Sequence, residues 1–209
     1  MTTRNPRKYQ SHIRTQQAES TRQKILAAAM ALFKSGGYDQ TAIEAIAQKA
    51  GVSTPTIYAV FGSKKAILKQ LVESAMFGQP YQEAVDRVFF STDPMDRLRS
   101  MSGVARSVHD AKNAVLELFR GAGVVSPEIA TLQKENESRR YESQKPVIDF
   151  LFQKRVIRRG ISRKKARDIA WCLTGSEIYR MLVLEKGWTS NDYQRWLGDA
   201  LVRSLMAEG

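Results

Sequence analysis

The 209-residue chain has a single cysteine, Cys172, so an intrachain disulfide is excluded and nothing in the sequence asks for an oxidising compartment. Cys172 sits in an apolar run with Ile169, Ala170, Trp171 and Leu173, which suits a small buried hydrophobe better than a redox sensor. Histidine occurs twice, at His12 and His109, too few for a histidine metal cluster. Glycine (13) and proline (6) are sparse, which disfavours a turn-rich all-β fold. No 18-residue apolar run exists, and the N-terminus has no hydrophobic signal core, so no membrane partner and a cytoplasmic location are expected. Catalytic signatures are lacking too: there is no Gly-rich phosphate loop, nucleophile elbow, metal-ligand spacing or recognisable carboxylate pair. We therefore expect no enzyme, no cofactor and no metal.

Acidic residues are also in short supply. The chain carries 33 Lys and Arg against 21 Asp and Glu, a net charge of +12. Through residue 70, eleven basic residues face only Glu19, Asp39 and Glu44, so +8 of that charge lies in the first third. Such an excess suits a polyanionic partner, nucleic acid first and a membrane surface second. Hydrophobic residues make up 43%, enough for a packed core.

Periodicity supplies the architecture. Residues 1–19 read as a basic arm with Arg4, Arg7, Lys8 and Arg14. From Ser20 or Thr21, Ile25, Leu26, Ala29, Leu32 and Phe33 form one stripe of a helix that Gly36-Gly37 ends. Thr41 is placed to cap a second helix, Ser53 a third with Pro55 in its first turn, and Ser63 a fourth. Beyond residue 75 the segments stay helical. Gly78, Pro80, Pro94, Gly121-Ala122-Gly123, Pro127, Gly160 and Gly187 are the expected breaks, and Pro146 starts or kinks a helix. The fold class is all-α: an N-terminal three-helix helix-turn-helix domain over 20–66, then a C-terminal helical bundle over 67–209 that dimerises.

The stretch from Thr41 to Lys65 carries the chemistry. Ala47 is the small residue where two helices cross, Gly51 suits the turn, and Ile46, Ala50, Val52 and Ile57 fall where the hairpin buries side chains. Ser53, Thr54, Thr56 and Tyr58 face away from Ile57; short hydroxyl side chains at a helix N-terminus approach phosphates and base edges closely. Lys64 and Lys65 open the next helix, where point charges neutralise a nucleic-acid backbone.

The segment ILAAAMALFKSGGYDQTAIEAIAQKAGVSTPTIYAVFGSKKAIL resembles the DNA-binding domain of the tetracycline-repressor (TetR) family from about Thr21 to Leu71. The resemblance implies a homodimer that binds an inverted repeat in double-stranded DNA and is released by a small-molecule effector. By position it makes Thr41 and Tyr58 phosphate contacts, Thr54, Pro55 and Thr56 the base-reading edge beside Ser53, and Lys64 with Lys65 a backbone clamp. Phe61 is expected to pack the domain. Two departures stand out. Glu44 occupies a position where many members are basic, so that phosphate contact is not carried over. Ala59 and Val60 replace common aromatic or His residues; Val60 either meets a thymine methyl or packs inward.

In the C-terminal part, Leu173, Ser176, Arg180, Trp196, Ala200 and Leu201 are expected at the dimer interface. The small residues Gly175, Ser176, Gly198 and Ala200 allow close helix approach, and Trp196 acts as an anchor. Phe77, Phe89, Met101, His109, Phe119, Phe150 and Trp171 are expected to line an effector pocket, with Tyr81 and Phe90 as further candidates. The basic run over 154–167 reads either as a solvated loop and helix start or as a site for an anionic effector, a phosphate or an acidic protein. An alternative to the metabolite-responsive repressor is a DNA binder of the same fold controlled by a protein partner.

Overall fold

The computed structural model describes residues 6–110 and 113–207. Its elements are α1 (Pro6–Gly36), α2 (Ile43–Ala50), α3 (Thr54–Phe61), α4 (Lys64–Met76), α5 (Gln79–Phe90) and α6 (Pro94–Asp110). These are followed by α7 (Asn113–Val125), α8 (Pro127–Ser143), α9 (Lys145–Gln153), α10 (Arg163–Leu173), the four-residue α11 (Ser176–Tyr179), a π-helix over Arg180–Glu185, and α12 (Ser190–Leu205). No strand forms among the described residues; the nearest approach to one is an isolated bridge pairing Ile157 with Met206. No described helix is long and apolar enough to cross a membrane.

Two compact units emerge. The first takes the chain through Val72 together with Ala114–Ala130, and the second takes Glu73–Asn113 and Thr131–Gly209. The expected division at residue 66 missed the return of a distant segment to the first unit. Ile129, fully buried, belongs to that unit beside Ile25, Phe33, Ile46, Ile57, Ile67 and Leu68, which are also sealed from solvent.

Local chemistry explains most boundaries. Gly37 follows α1 with φ +80°, a conformation that costs glycine little. Ser53 caps α3 by accepting from the Thr56 N–H at 3.3 Å, and Ser63 does the same for Ala66 at 3.1 Å. Three expectations fail. α1 has no boundary at Ser20 or Thr21; it is continuous from Pro6, so the arm expected over 1–19 is helical wherever the structure describes it. The side chains of Arg7, Lys8 and Arg14, and all of Arg4, lie outside the described residues. Gly121-Ala122-Gly123 does not break α7, whose ladder absorbs both glycines. The expected continuous segment over 161–186 breaks at Thr174-Gly175 and resumes as α11 and the π-helix.

The core of the second unit is built from α5, α6, α9, α10 and α12, with Leu98, Leu151, Tyr193, Leu197, Leu201 and Leu205 fully buried. α6 and α12 approach closely at Gly198, where a Cβ would meet Ser102 Oγ at 3.4 Å and the Arg99 carbonyl at 3.5 Å. The glycine expected to ease helix pairing between protomers therefore serves packing within one chain.

Candidate functional site

α2 and α3 form a compact helix-turn-helix. Gly51 adopts the left-handed conformation (φ +66°), and the Val52 N–H donates back to the Ala47 carbonyl at 3.0 Å, closing the end of α2 and turning the chain sharply into α3. Ile46, Ala47 and Ile57 are buried beneath the turn. Because Ile57 faces the core, the other side of α3 faces solvent: Ser53, Pro55, Tyr58 and Ala59 are exposed, and Thr54, Thr56 and Val60 are half-buried. The Thr56 and Ser53 hydroxyls lie 2.8 Å apart, so the two polar side chains at the start of α3 hold each other in place. Tyr58 is half exposed, with its ring beside this edge. A helix start flanked by short hydroxyls and a long phenol suits contact with a phosphate backbone and base edges.

Two residues expected on this surface are spent internally. Thr41 does not cap α2; it is buried, and its hydroxyl donates to the Gly37 carbonyl at 2.7 Å. Its one proton is thereby committed, and a phosphate offers only acceptors. Ala42 occupies the N-cap position with no side-chain bond. Lys64 directs its ammonium at three carbonyls, Tyr38 at 2.9 Å, Thr41 at 3.0 Å and Asp39 at 3.2 Å, and sits 4.5 Å from the Tyr38 ring centroid. Its three protons are used, so Lys64 clamps the loop between α1 and α2 instead of a nucleic-acid backbone. Tyr38 beneath it is buried, and burial together with the charges of Glu128 and Asp39 pushes its phenol up to about 12. Lys65 pairs with Glu128 at 3.6 Å. Phe61 packs under the Arg22 guanidinium, 4.8 Å from its ring centroid. Glu44 and Ala59 are exposed, and Val60 is half-buried, which leaves its side chain divided between core and surface.

The second unit encloses a cavity of about 340 Å³. Its apolar wall includes Phe77, Tyr81, Val88, Phe89 and Met101; its polar wall includes His109, Glu137, Arg140, Gln144 and Thr174. Of the residues expected there, Phe77, Phe89, Met101 and His109 line it, whereas Phe119, Phe150 and Trp171 do not. Phe119 is buried in the first unit. Phe150 is held under the Arg97 guanidinium at 3.7 Å. Trp171 lies on the outer side of α10, where its Nε1–H donates to Glu137 at 3.1 Å. Phe90 is 81% exposed and does not line this cavity. His109 is buried, 3.5 Å from the Thr174 carbonyl, with its ring 5.0 Å from that of Tyr179. Sequence reasoning found His109 but missed the other polar wall residues, Glu137, Arg140, Gln144 and Thr174. Their only trace is the spacing of Glu137 and Arg140 along α8 with Gln144 just past its end, which an ordinary solvated helix face also shows.

Residues 25–71 match the family model for bacterial regulatory proteins of the tetR family. Over this stretch the chain is similar to the DNA-binding domain of the TetR family. A curated relative, the HTH-type transcriptional regulator HbdR of Aromatoleum sp. (strain CIB), is 32% identical over 123 residues, 58% of this chain and 53% of that protein. The match thus spans about half the length of this relative. Among solved structures, NalD, the secondary repressor of the MexAB-OprM multidrug efflux pump in Pseudomonas aeruginosa, superposes with a TM-score of 0.71 at 19% identity, over 93% of this chain and 100% of that one. SmeT of Stenotrophomonas maltophilia, in its triclosan complex, superposes with a TM-score of 0.70 at 18% identity, over 90% and 93% of the two chains. At these identities the structural likeness carries the fold alone.

The expected interface residues divide. Leu201 is fully buried in its own core and is unavailable to a partner. Leu173, Ser176, Arg180, Trp196 and Ala200 keep partial exposure. Trp196 already has an intrachain partner in Trp188, edge to face at 6.1 Å, and Arg180 is paired with Glu185. Beside them Met181 (40%), Leu184 (46%) and Trp188 (36%) are exposed, the last on the turn after the π-helix. Cys172, expected to be buried, is exposed. The basic run over 154–167 is balanced in part: Arg163 bonds Asp149 at 2.9 Å, Lys164 bonds Asp168 at 2.7 Å and Arg167 bonds Glu142 at 3.2 Å.

Proposed function

We propose that the chain is a transcriptional repressor that binds an inverted-repeat operator as a homodimer and is released when a small molecule occupies the cavity of its second unit. The observation that carries the DNA-binding half is the start of α3, where the hydroxyls of Ser53, Thr54, Thr56 and Tyr58 and the exposed ring of Pro55 form one accessible edge backed by the sealed Ile57. The net charge of +12 supplies the attraction that precedes base reading. NalD and SmeT are described as repressors of efflux pumps, and SmeT is described in complex with triclosan. The cavity, mostly apolar with a few convergent polar groups, supports a small-molecule signal over a protein partner, for which a solid core would serve equally well. Release is a population shift: the effector must bind better to the conformation whose α3 spacing mismatches the operator.

Fluorescence anisotropy of the purified protein on DNA from upstream of its own gene, against a scrambled duplex at physiological salt, tests the reading. Specific binding tighter by about a thousandfold or more is expected. Thr56→Ala should weaken operator binding more than scrambled binding; equal losses on both duplexes would refute base reading by this edge.

A further inference from the structure

We infer that the cavity takes an organic anion, with its apolar body on the buried floor and its carboxylate, or a group of the same charge, at the rim on Arg139. The inference rests on the proposed reading of the cavity as the effector site. Burial divides the lining in two. The buried residues, among them Val88, Met101, Ala105, Val147 and Thr174, form the floor, and they include no Asp, Glu, Lys or Arg. Phe77, Phe89, Glu137, Arg139 and Ser143 are exposed and form the rim.

That division orients a ligand. A charged group pushed to the floor would lose its water and meet no carboxylate, lysine or arginine there. An apolar body gains by leaving water, and Val88, Met101, Ala105 and Val147 receive it. A ligand with one charge therefore keeps that charge at the rim, where solvent and the ionic side chains of α8 meet it.

The rim decides the sign. Glu137 and Arg140 neutralise each other: Arg140 Nε and Nη2 both donate to Glu137 Oε2, at 3.1 and 2.7 Å. Arg140 Nη1 donates to the Trp171 carbonyl at 2.9 Å and to Thr174 Oγ1 at 3.1 Å, and Trp171 adds a third donor to Glu137. Arg139 is paired far more loosely. Its Nη2 donates to Asn136, an uncharged neighbour that also lines the cavity, and its Nη1 lies 4.0 Å from Glu73, too far for a hydrogen bond. These two contacts set the guanidinium beside the rim, because the Glu73 carbonyl accepts from the Phe77 N–H one turn on. Arg139 and Glu73 both keep contact with water (55% and 32%), where such a pair is worth little and exchanges easily. The lining thus carries two arginines against one acid, and the excess charge sits on a side chain with donors to spare.

Isothermal titration of the full-length protein at pH 7 with 4-biphenylcarboxylate, biphenyl-4-carboxamide and biphenyl-4-ylmethylammonium tests this, since the three share one body and differ in charge. At about 0.05 M salt the carboxylate should bind about tenfold tighter than the carboxamide. At about 0.5 M salt the gap should narrow to about threefold, because counterions reach a charge held at the rim. Arg139→Gln should bring acid and amide within about twofold of each other with unchanged helical circular dichroism, and Arg139→Lys should keep most of the preference. The wild-type ratios stand as a test even where a variant does not fold. Equal binding of acid and amide to the wild type, or tightest binding by the ammonium, overturns the inference and leaves the cavity as an effector site. A preference for the carboxylate that salt does not change, or that survives in a folded Arg139→Gln, also overturns it. Failure of all three probes to bind removes the effector reading of the cavity, and the inference with it.

Discussion

At the scale of single residues, Lys64 shows how a side chain of the expected type can do a different job. Its ammonium satisfies three carbonyls of the loop after α1, among them Thr41, whose own hydroxyl ties back to Gly37. Lys64→Met should cost on the order of 2 kcal/mol in urea unfolding, because carbonyls lose donors where water has limited access. The dependence of operator affinity on salt should keep its slope. A slope reduced by about one unit per lost phosphate contact would mean that Lys64 touches DNA after all. Lys64 was legible as a basic residue beside α3, but not as an internal donor, because only the folded loop aims three carbonyls at one point. Gln144 was illegible for the same reason: its meaning lies in Thr174, thirty residues away. Ser53, Gly51 and Ile57 were readable because capping, left-handed backbone and core periodicity are local properties.

At the scale of elements, the sequence pattern located helices well and their interruptions less well. Proline and glycine mark ends only when the local ladder has no better option, which is why α7 runs through Gly121 and Gly123. The break after α10 has a different cause. Thr174 turns its hydroxyl back to the Ala170 carbonyl and gathers Gln144 and Arg140, and Gly175 sits where a Cβ would lie 3.1 Å from the Cys172 carbonyl. The end of α6 is tied to the start of α12 by another such knot. Asp110 accepts from Tyr179 at 2.6 Å, Ser190 at 2.7 Å and Arg106 at 2.8 Å. Burial pushes the Asp110 carboxyl up, but the hydrogen bonds from Tyr179, Arg106 and Ser190 outweigh it and hold the group below its ordinary 3.8. A depressed carboxylate stabilises the fold above its unfolded pKa, and that stability is lost as pH falls through the lower folded value. The melting temperature of the wild type should therefore fall steeply below about pH 4, and Asp110→Asn should melt lower at pH 7 with a shallower acid limb. Parallel acid limbs for the two proteins would show that Asp110 titrates as it does in the unfolded chain.

At the scale of the whole molecule, one copy of α3 reads too little DNA to specify a site, so the proposed repressor depends on pairing. Two-fold symmetry would bring two copies of α3 about one turn of DNA, ~34 Å, apart. The composition gave the charge for such a complex, and the apolar stripes of the last helices gave the expectation of pairing, but stripes that serve a chain's own core look the same in sequence as stripes that serve a partner. Leu201 and Gly198 went to the core. What remains outward is Met181 and Leu184 of the π-helix and Trp188 on the turn after it, large apolar side chains whose exposure a soluble surface does not require. The π-helix itself, with its wider turn, places Met181 and Leu184 outward while Leu182 and Val183 stay packed on the core. Leu184→Glu puts a charge on this surface without touching a buried residue, so a loss of pairing can be separated from a loss of folding. Sedimentation equilibrium should report a dimer for the wild type and a monomer for Leu184→Glu at micromolar concentration, with unchanged helical circular dichroism. Operator affinity should fall at least a hundredfold while binding to scrambled DNA changes little, since each protomer keeps its charge and its α3 edge. A variant that remains dimeric would place the two-fold contact elsewhere on the second unit, and a monomer that still held the operator tightly would remove pairing from the mechanism of recognition.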